Sequence, residues 1–158
     1  MTKYFQDYMQ GQACFGCGTA NHQGLQIKSY WEGEEAVCIW HSEEKYSGWK
    51  NILNGGILAT LIDCHCMNSA MAAACRAEGR ALGTVPFYGY ATGKLSVSYF
   101  KPTSNNKAVE LRAKITEIKG KKVVLHCDVF SEGVKTAEAE VIAIRVIDSS
   151  QNTETAFE

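Results

Sequence analysis

Asp63 is flanked by Leu61, Ile62 and Cys64, and a carboxylate among apolar neighbours is seldom there without a partner or a purpose. Nine positions earlier stands Asn54, followed by Gly55 and Gly56, where the sequence reads as the start of a helix. The first turn of a helix leaves backbone N–H groups without intrahelical partners, at the positive end of the helix dipole. Glycines there let a substrate carbonyl approach the backbone, and donors aimed at an oxyanion are the main electrostatic device of acyl transfer. A carboxylate that can take a proton and a donor group for developing negative charge thus share one segment. The plainer alternatives are a carboxylate satisfied by hydroxyls such as those of Thr92 or Ser96, and glycines that only begin a helix.

Eight steps separate Gly55 from Asp63, a little over two helical turns, which puts them on similar faces about 12 Å apart along the axis. Asp63 therefore cannot reach an oxyanion held at its own helix start. A two-fold dimer with the helices antiparallel would bring Asp63 of one chain to the helix start of the other. The expected assembly is a homodimer or a dimer of dimers with the active site at the subunit interface.

The elements that must hold these groups follow from pattern. Residues 55–80 are rich in helix formers, contain no proline and carry apolar residues on nearly all sides, which predicts one long helix wrapped by other structure, with Gly79 as its stop. Before it, residues 1–24 read as a glycine-bearing lead-in with a short helix at 3–10, and residues 25–29 and 36–40 as a first hairpin across Glu32-Gly33-Glu34. After it, residues 95–99, 109–118, 123–130 and 137–147 alternate as strands. The turns at Lys119-Gly120-Lys121 and Ser131-Glu132-Gly133-Val134 are too short for parallel crossovers, so the last three strands form an antiparallel meander. The expected fold is α+β: a curved antiparallel β-sheet wrapped around one long central α-helix, over residues 25–148, with a polar tail at 149–158. Ile142, Ile144 and Ile147 lie opposite Val141 and Ala143, so the last strand is expected to be covered on both faces, by a subunit interface.

Composition narrows the function classes. With 158 residues, 46% hydrophobic and 21% charged, the chain suits a single globular domain. A net charge of −1 with scattered basic residues offers no footprint for nucleic acid or an anionic membrane. No signal-peptide pattern opens the sequence and no membrane span is read in it, so a cytoplasmic location is expected. Seven cysteines, an odd number with Cys64, Cys66 and Cys75 inside the helical segment, argue against a disulfide framework.

Several of these segments together resemble one family. Cys14-Phe15-Gly16-Cys17-Gly18, Gly24-Leu25, Ser47-Gly48-Trp49, the run from Asn54 to Asp63, and Leu95 to Pro102 look like the hotdog-fold thioesterases of the phenylacetate-pathway (PaaI-like) type, over about residues 14 to 147. The resemblance implies an acyl-CoA thioesterase that hydrolyses an acyl or aroyl thioester, with coenzyme A entering only as part of the substrate and no metal or redox cofactor. It makes Asp63 the general base or nucleophile. Backbone N–H groups of Gly55 and Gly56 would polarise the thioester carbonyl, and Thr92, on the strand after the helix, would orient the attacking water. The departure is Asn54, where the family has His; an Asn amide donates a hydrogen bond but takes up no proton. The alternative reading is therefore a non-catalytic acyl-CoA-binding hotdog protein.

Other signals rank lower. Cys14 and Cys17 with His22 are half of a zinc site, without a second cysteine pair at ribbon spacing, and a tight glycine turn packed by thiols is the plainer reading. Asp63, His65 and Cys66 diverge around a helix, which leaves His65 as a satisfied interior or interface residue. Gly16 and Gly18 lack the strand and helix of a dinucleotide fingerprint. Phe87, Tyr88 and Tyr90 are expected to line an acyl pocket from a loop, while Lys94, Lys101 and Arg112 are weak candidates for coenzyme A phosphates.

Overall fold

In a computed structural model that describes residues 3–9 and 12–151, six strands form one sheet with all pairings antiparallel, in the order β1-β2-β4-β5-β6-β3. The strands are β1 (Tyr30–Glu32), β2 (Glu35–Trp40), β3 (Tyr88–Tyr99), β4 (Val109–Lys119), β5 (Lys122–Ser131) and β6 (Val134–Asp148); between β2 and β3 stand a 3-10 turn at Glu44–Tyr46 and one long helix, α1 (Gly55–Ala77). This is the antiparallel sheet around one long helix expected from the pattern, and the hotdog arrangement that the resemblance implies. Residue 10 of the expected first helix, and residues 152–158 of the expected tail, lie outside the described residues; within the former a 3-10 turn spans Phe5–Tyr8.

Alternation decides which face of the sheet meets the helix. Leu111 and Ala113 of β4, Val123, Leu125, Cys127 and Val129 of β5, and Ala137, Ala139, Val141 and Ala143 of β6 are buried at every second position, as a strand period of two requires. Against them packs α1, buried along Leu58, Leu61, Ile62, Cys66, Ala70 and Ala74. The alanines of β6 leave room for the helix to lie close. By length and composition α1 is apolar enough to cross a membrane, a stretch the sequence was not expected to hold, and 67% of its most apolar window is buried inside the fold; the sheet around it accounts for that composition.

Both ends of α1 are sealed locally. Asn54 is the N-cap, its Oδ1 accepting from the N–H groups of Gly56 (2.8 Å) and Ile57 (3.1 Å). At the other end Gly79 takes φ +66, the N–H of Arg80 donates to Cys75 O (2.9 Å) and that of Gly79 to Arg76 O (3.0 Å). This is a Schellman closure, which needs the left-handed conformation that glycine adopts without strain.

Two boundaries differ from expectation. Leu25 and Ile27 are buried, but the N–H groups of residues 25 and 27 donate to Phe15 O (2.9 Å) and Gly16 O (3.1 Å), so residues 25–29 pair with the N-terminal loop and the hairpin begins only at Tyr30. Strand β3 starts at Tyr88, well before position 95; register shifts at Gly89/Tyr90 and Thr92/Lys94, beside Gly89 and Gly93, interrupt the alternation in its first half. Side chains from β6 fill the space these glycines leave: a Cβ at Gly89 would meet Ile147, and one at Gly93 would meet Ile144.

Candidate active site

Along α1 the chemistry divides into two places. At its start, the capping bonds fix the orientation of the Asn54 amide: Oδ1 faces two backbone donors, so Nδ2 must point away from the helix. Gly56 N–H is engaged in that cap. Among the described residues the Gly55 N–H has no hydrogen-bond partner, and the Tyr99 hydroxyl donates to Gly55 O (2.7 Å), tying the helix start to the end of β3. A cavity of about 500 Å³ opens here, lined by Trp49, Ile52, Gly55, Leu58, Tyr99, Phe100 and Lys101. Trp49 is 83% exposed and Phe100 54%, an apolar surface with a free backbone donor at its edge.

Two turns on, Asp63 is half-buried rather than enclosed, and the Thr92 hydroxyl donates to its Oδ1. The anticipated hydroxyl partner of Asp63 is thus Thr92 and not Ser96. A hydroxyl has one hydrogen, and Thr92's is committed to the carboxylate, which leaves its oxygen as an acceptor. Asp63 and Thr92 border a second cavity, of about 250 Å³, walled by Met67, Met71, Tyr88, Tyr90 and the thiols of Cys14, Cys17 and Cys64. Of the aromatic cluster singled out in the sequence, Tyr88 and Tyr90 line this cavity, from a strand rather than a loop.

The thiols around Asp63 are placed by the N-terminal loop. Cys14 Sγ lies 3.9 Å from Cys64 Sγ, and Asn68 Nδ2 is directed at Cys17 Sγ (3.5 Å). The Cys64 thiol beside Cys17 brings Cys17 down to about 7 despite its burial, and the same contact, with burial, pushes Cys64 far above the ordinary thiol range. Nothing in the sequence pairs Cys64 with the Cys14-Cys17 loop, because the two lie 50 residues apart.

The remaining candidates sort plainly. His65 is fully buried; its Nε2 donates to Ala36 O (3.0 Å), which makes Nδ1 (2.8 Å from Ser29 Oγ) the acceptor. Burial holds this imidazole neutral, down to about 4. Arg112 is committed to Glu110 (2.6 Å) and Glu32 (3.1 Å), whereas Lys101 borders the helix-start cavity and Lys94 is exposed on β3. His126, which has no partner motif in the sequence, lies across from Glu140 in the β5–β6 register. It bonds to Glu140 and to Asp128 (2.8 Å), and Lys135 balances Asp128 (2.8 Å) and Glu138 (2.5 Å). That group is a surface charge network away from Asp63.

Comparison with known proteins bears on this arrangement. A family model described as the thioesterase superfamily matches residues 50–138, more than half of the chain. Acyl-coenzyme A thioesterase THEM4 of Bos taurus is 23% identical over 111 residues, 70% of this chain and 40% of that protein, so the chain spans less than half the length of that relative. Among solved structures, a thioesterase superfamily protein from Shewanella loihica PV-4 aligns with a TM-score of 0.63 and 29% identity, covering 77% of this chain and 91% of that one. The PaaI protein of the E. coli phenylacetic acid degradation operon aligns with a TM-score of 0.63 and 11% identity, over 78% of this chain and 82% of that one, a likeness of fold. The family match runs from ahead of Asn54 through Asp63 and Thr92 into β6, and the chain belongs to the thioesterase superfamily.

Proposed function

We propose that this protein hydrolyses an acyl or aroyl thioester of coenzyme A to the free acid and coenzyme A, in a site shared between two copies of the chain. The observation that carries this reading is the division of α1: a half-buried carboxylate held by Thr92 borders one cavity, and an unpartnered Gly55 N–H borders another about 12 Å along the same helix. Neither half is a complete site for acyl transfer. The two halves are complementary, and a two-fold axis that sets the helices antiparallel would join them. Strand β3 suits such an axis, since it ends the sheet with β6 as its one partner there, and a long bare edge is a template for pairing with another chain. The superfamily membership and the named activity of the Bos taurus relative support thioester hydrolysis and the coenzyme A carrier.

In this reading the thioester carbonyl oxygen sits between Gly55 N–H and the Asn54 Nδ2 group, with Gly56 N–H reserved for the cap. Both donors act where negative charge grows as the carbonyl carbon becomes tetrahedral. On the other subunit's Asp63, the carboxylate takes a proton from water as its oxygen attacks that carbon, with Thr92 oxygen accepting the water's second hydrogen. Collapse of the intermediate breaks the C–S bond, and the thiolate leaves to be protonated. Asp63 can instead attack the carbon itself, giving an anhydride that water then opens; in a single turnover in ¹⁸O water, label on the enzyme's carboxylate identifies this second route, with water opening the anhydride at the aspartyl carbon. No step calls on a metal or redox cofactor. Asn54 supplies the donor that a histidine would, without a titrating proton.

The test is a panel of short, long and aromatic acyl-CoA substrates presented to the wild-type chain. Turnover of at least one substrate that falls at least about 100-fold in Asp63→Asn supports the reading. Saturable acyl-CoA binding without turnover of any member favours the non-catalytic alternative, and a monomer by sedimentation removes the shared site.

A further inference from the structure

Read along the sequence, Cys14 and Cys17 fall short of a metal site. The fold supplies a third thiol from α1: the Sγ atoms of Cys14, Cys17 and Cys64 all lie within 4.8 Å of one another, with Cys14 and Cys64 3.9 Å apart. Sulfurs about 2.3 Å from a tetrahedral Zn²⁺ are about 3.8 Å from each other, so the cluster has nearly the dimensions such an ion imposes.

The loop is shaped to bring these sulfurs together. A Cβ on Gly16 would come 2.3 Å from Cys64 Sγ, and one on Gly18 would come 2.4 Å from Cys14 N. Glycine at 16 lets the loop press its backbone against the helix, and glycine at 18 lets the loop fold tightly on itself. Gly18 N–H donates to Cys14 O (2.9 Å), closing the turn. Asn68, buried one turn beyond Cys64, donates to Cys64 O (2.9 Å) and aims its amide at Cys17 Sγ (3.5 Å), the kind of outer donor that supports a ligating thiolate. Cys17 and Cys64 are buried, whereas Cys14 is half-exposed, and all three border the cavity of about 250 Å³. The open side leaves space for a fourth ligand. Three thiolates beside Asp63 also favour a divalent over a monovalent thiophilic ion, because it offsets more of the accumulated negative charge.

We propose that Cys14, Cys17 and Cys64 form a three-thiolate site for Zn²⁺, open at a fourth position toward the Asp63 cavity, where the ion pins the N-terminal loop to α1. Coordination displaces the thiol protons into solvent. The ion's role is to hold the cavity wall, and it takes no part in the hydrolysis proposed above, so either idea can fail alone.

The reduced, chelator-stripped full chain is titrated with Zn²⁺ against a chromogenic chelator, and separately with Co²⁺ by absorbance. The expected result is one ion per chain, with thiolate-to-cobalt charge transfer that Zn²⁺ abolishes. Cys14→Ser and Cys64→Ser each weaken binding more than about 100-fold, beyond the usual cost of losing an outer partner. Cys75→Ser, at the far end of α1, binds as wild type. Absence of stoichiometric Zn²⁺ uptake by the wild-type chain overturns the proposal, as does a cobalt complex without charge transfer or binding that survives both substitutions. The wild-type titration decides even where a variant fails to fold.

Discussion

Acid should weaken this fold through His65, and the effect can be sized. The ring is fully buried and satisfied in its neutral form, donating to Ala36 O and accepting from Ser29, with its pKa lowered from 6.5 to about 4. A depressed histidine pKa means that the unfolded chain binds the proton first as pH falls. Its stabilisation is complete above about pH 6.5, declines as pH falls through the window, and is lost by about pH 4. At 1.36 kcal/mol per pKa unit, the loss between about pH 7.5 and pH 5 is about 2 kcal/mol. The assay is urea unfolding across that range for wild type and His65→Gln, read as the difference between them, so that carboxylates and other histidines cancel. The variant is expected to be less stable at neutral pH and to show a correspondingly flatter pH dependence. Parallel curves would refute the inference that His65 is buried neutral.

The His126 network titrates in the opposite sense. Its bond to Glu140, with Asp128 adding to it, raises its pKa, so its small contribution is present below the unfolded value and lost as pH rises through the raised folded value; NMR titration of Glu140→Gln should show the His126 pKa falling, and an unchanged pKa would contradict the pairing. Gly16→Ala drives a Cβ to 2.3 Å from Cys64 Sγ and is expected to cost about 1–3 kcal/mol in urea unfolding, with Cys64→Ala recovering part of that loss; equal cost in both backgrounds would show that the contact is not the cause. Gly55→Pro deletes the one unpartnered N–H of the helix start while keeping a residue suited to the first helical position, since Asn54 before it is already extended at φ −58, ψ 132. Thermal stability should hold while kcat/KM drops about 100-fold or more, and retention of full activity would remove Gly55 from the proposed oxyanion site.

How much of this was legible beforehand varied with the physics behind each feature. The helix was plain because residues 55–77 combine strong formers with a left-handed stop at Gly79, both local properties. The meander β4-β5-β6 was equally plain, since its turns carry glycines at φ +58 and +78 between alternating strands. Strand β3 was only half visible because Gly89 and Gly93 break the period where the register shifts. Residues 25–29 alternate like a strand yet pair with a loop, and alternation reports burial without naming the partner. At the site, Asp63 and the Asn54-Gly55-Gly56 start could be found because they share one helix. The capping bond that withdraws Gly56 N–H depends on a side-chain rotamer, which no spacing encodes. Cys64 joining Cys14 and Cys17, and Glu140 facing His126, are contacts between distant segments set by the packing of the whole sheet.

The shared site is tested most directly by mixing two crippled chains. Asp63→Asn removes the carboxylate and Gly55→Pro the donor, about two turns apart on the same helix. Co-expressed in equal amounts, they give mixed dimers in which one site carries both lesions and the other carries neither, if each site draws its two halves from different subunits. With half of the dimers mixed and one of their two sites intact, the acyl-CoA hydrolysis rate should recover to about one quarter of wild type. A mixture no more active than the average of the two parents would contradict the shared active site.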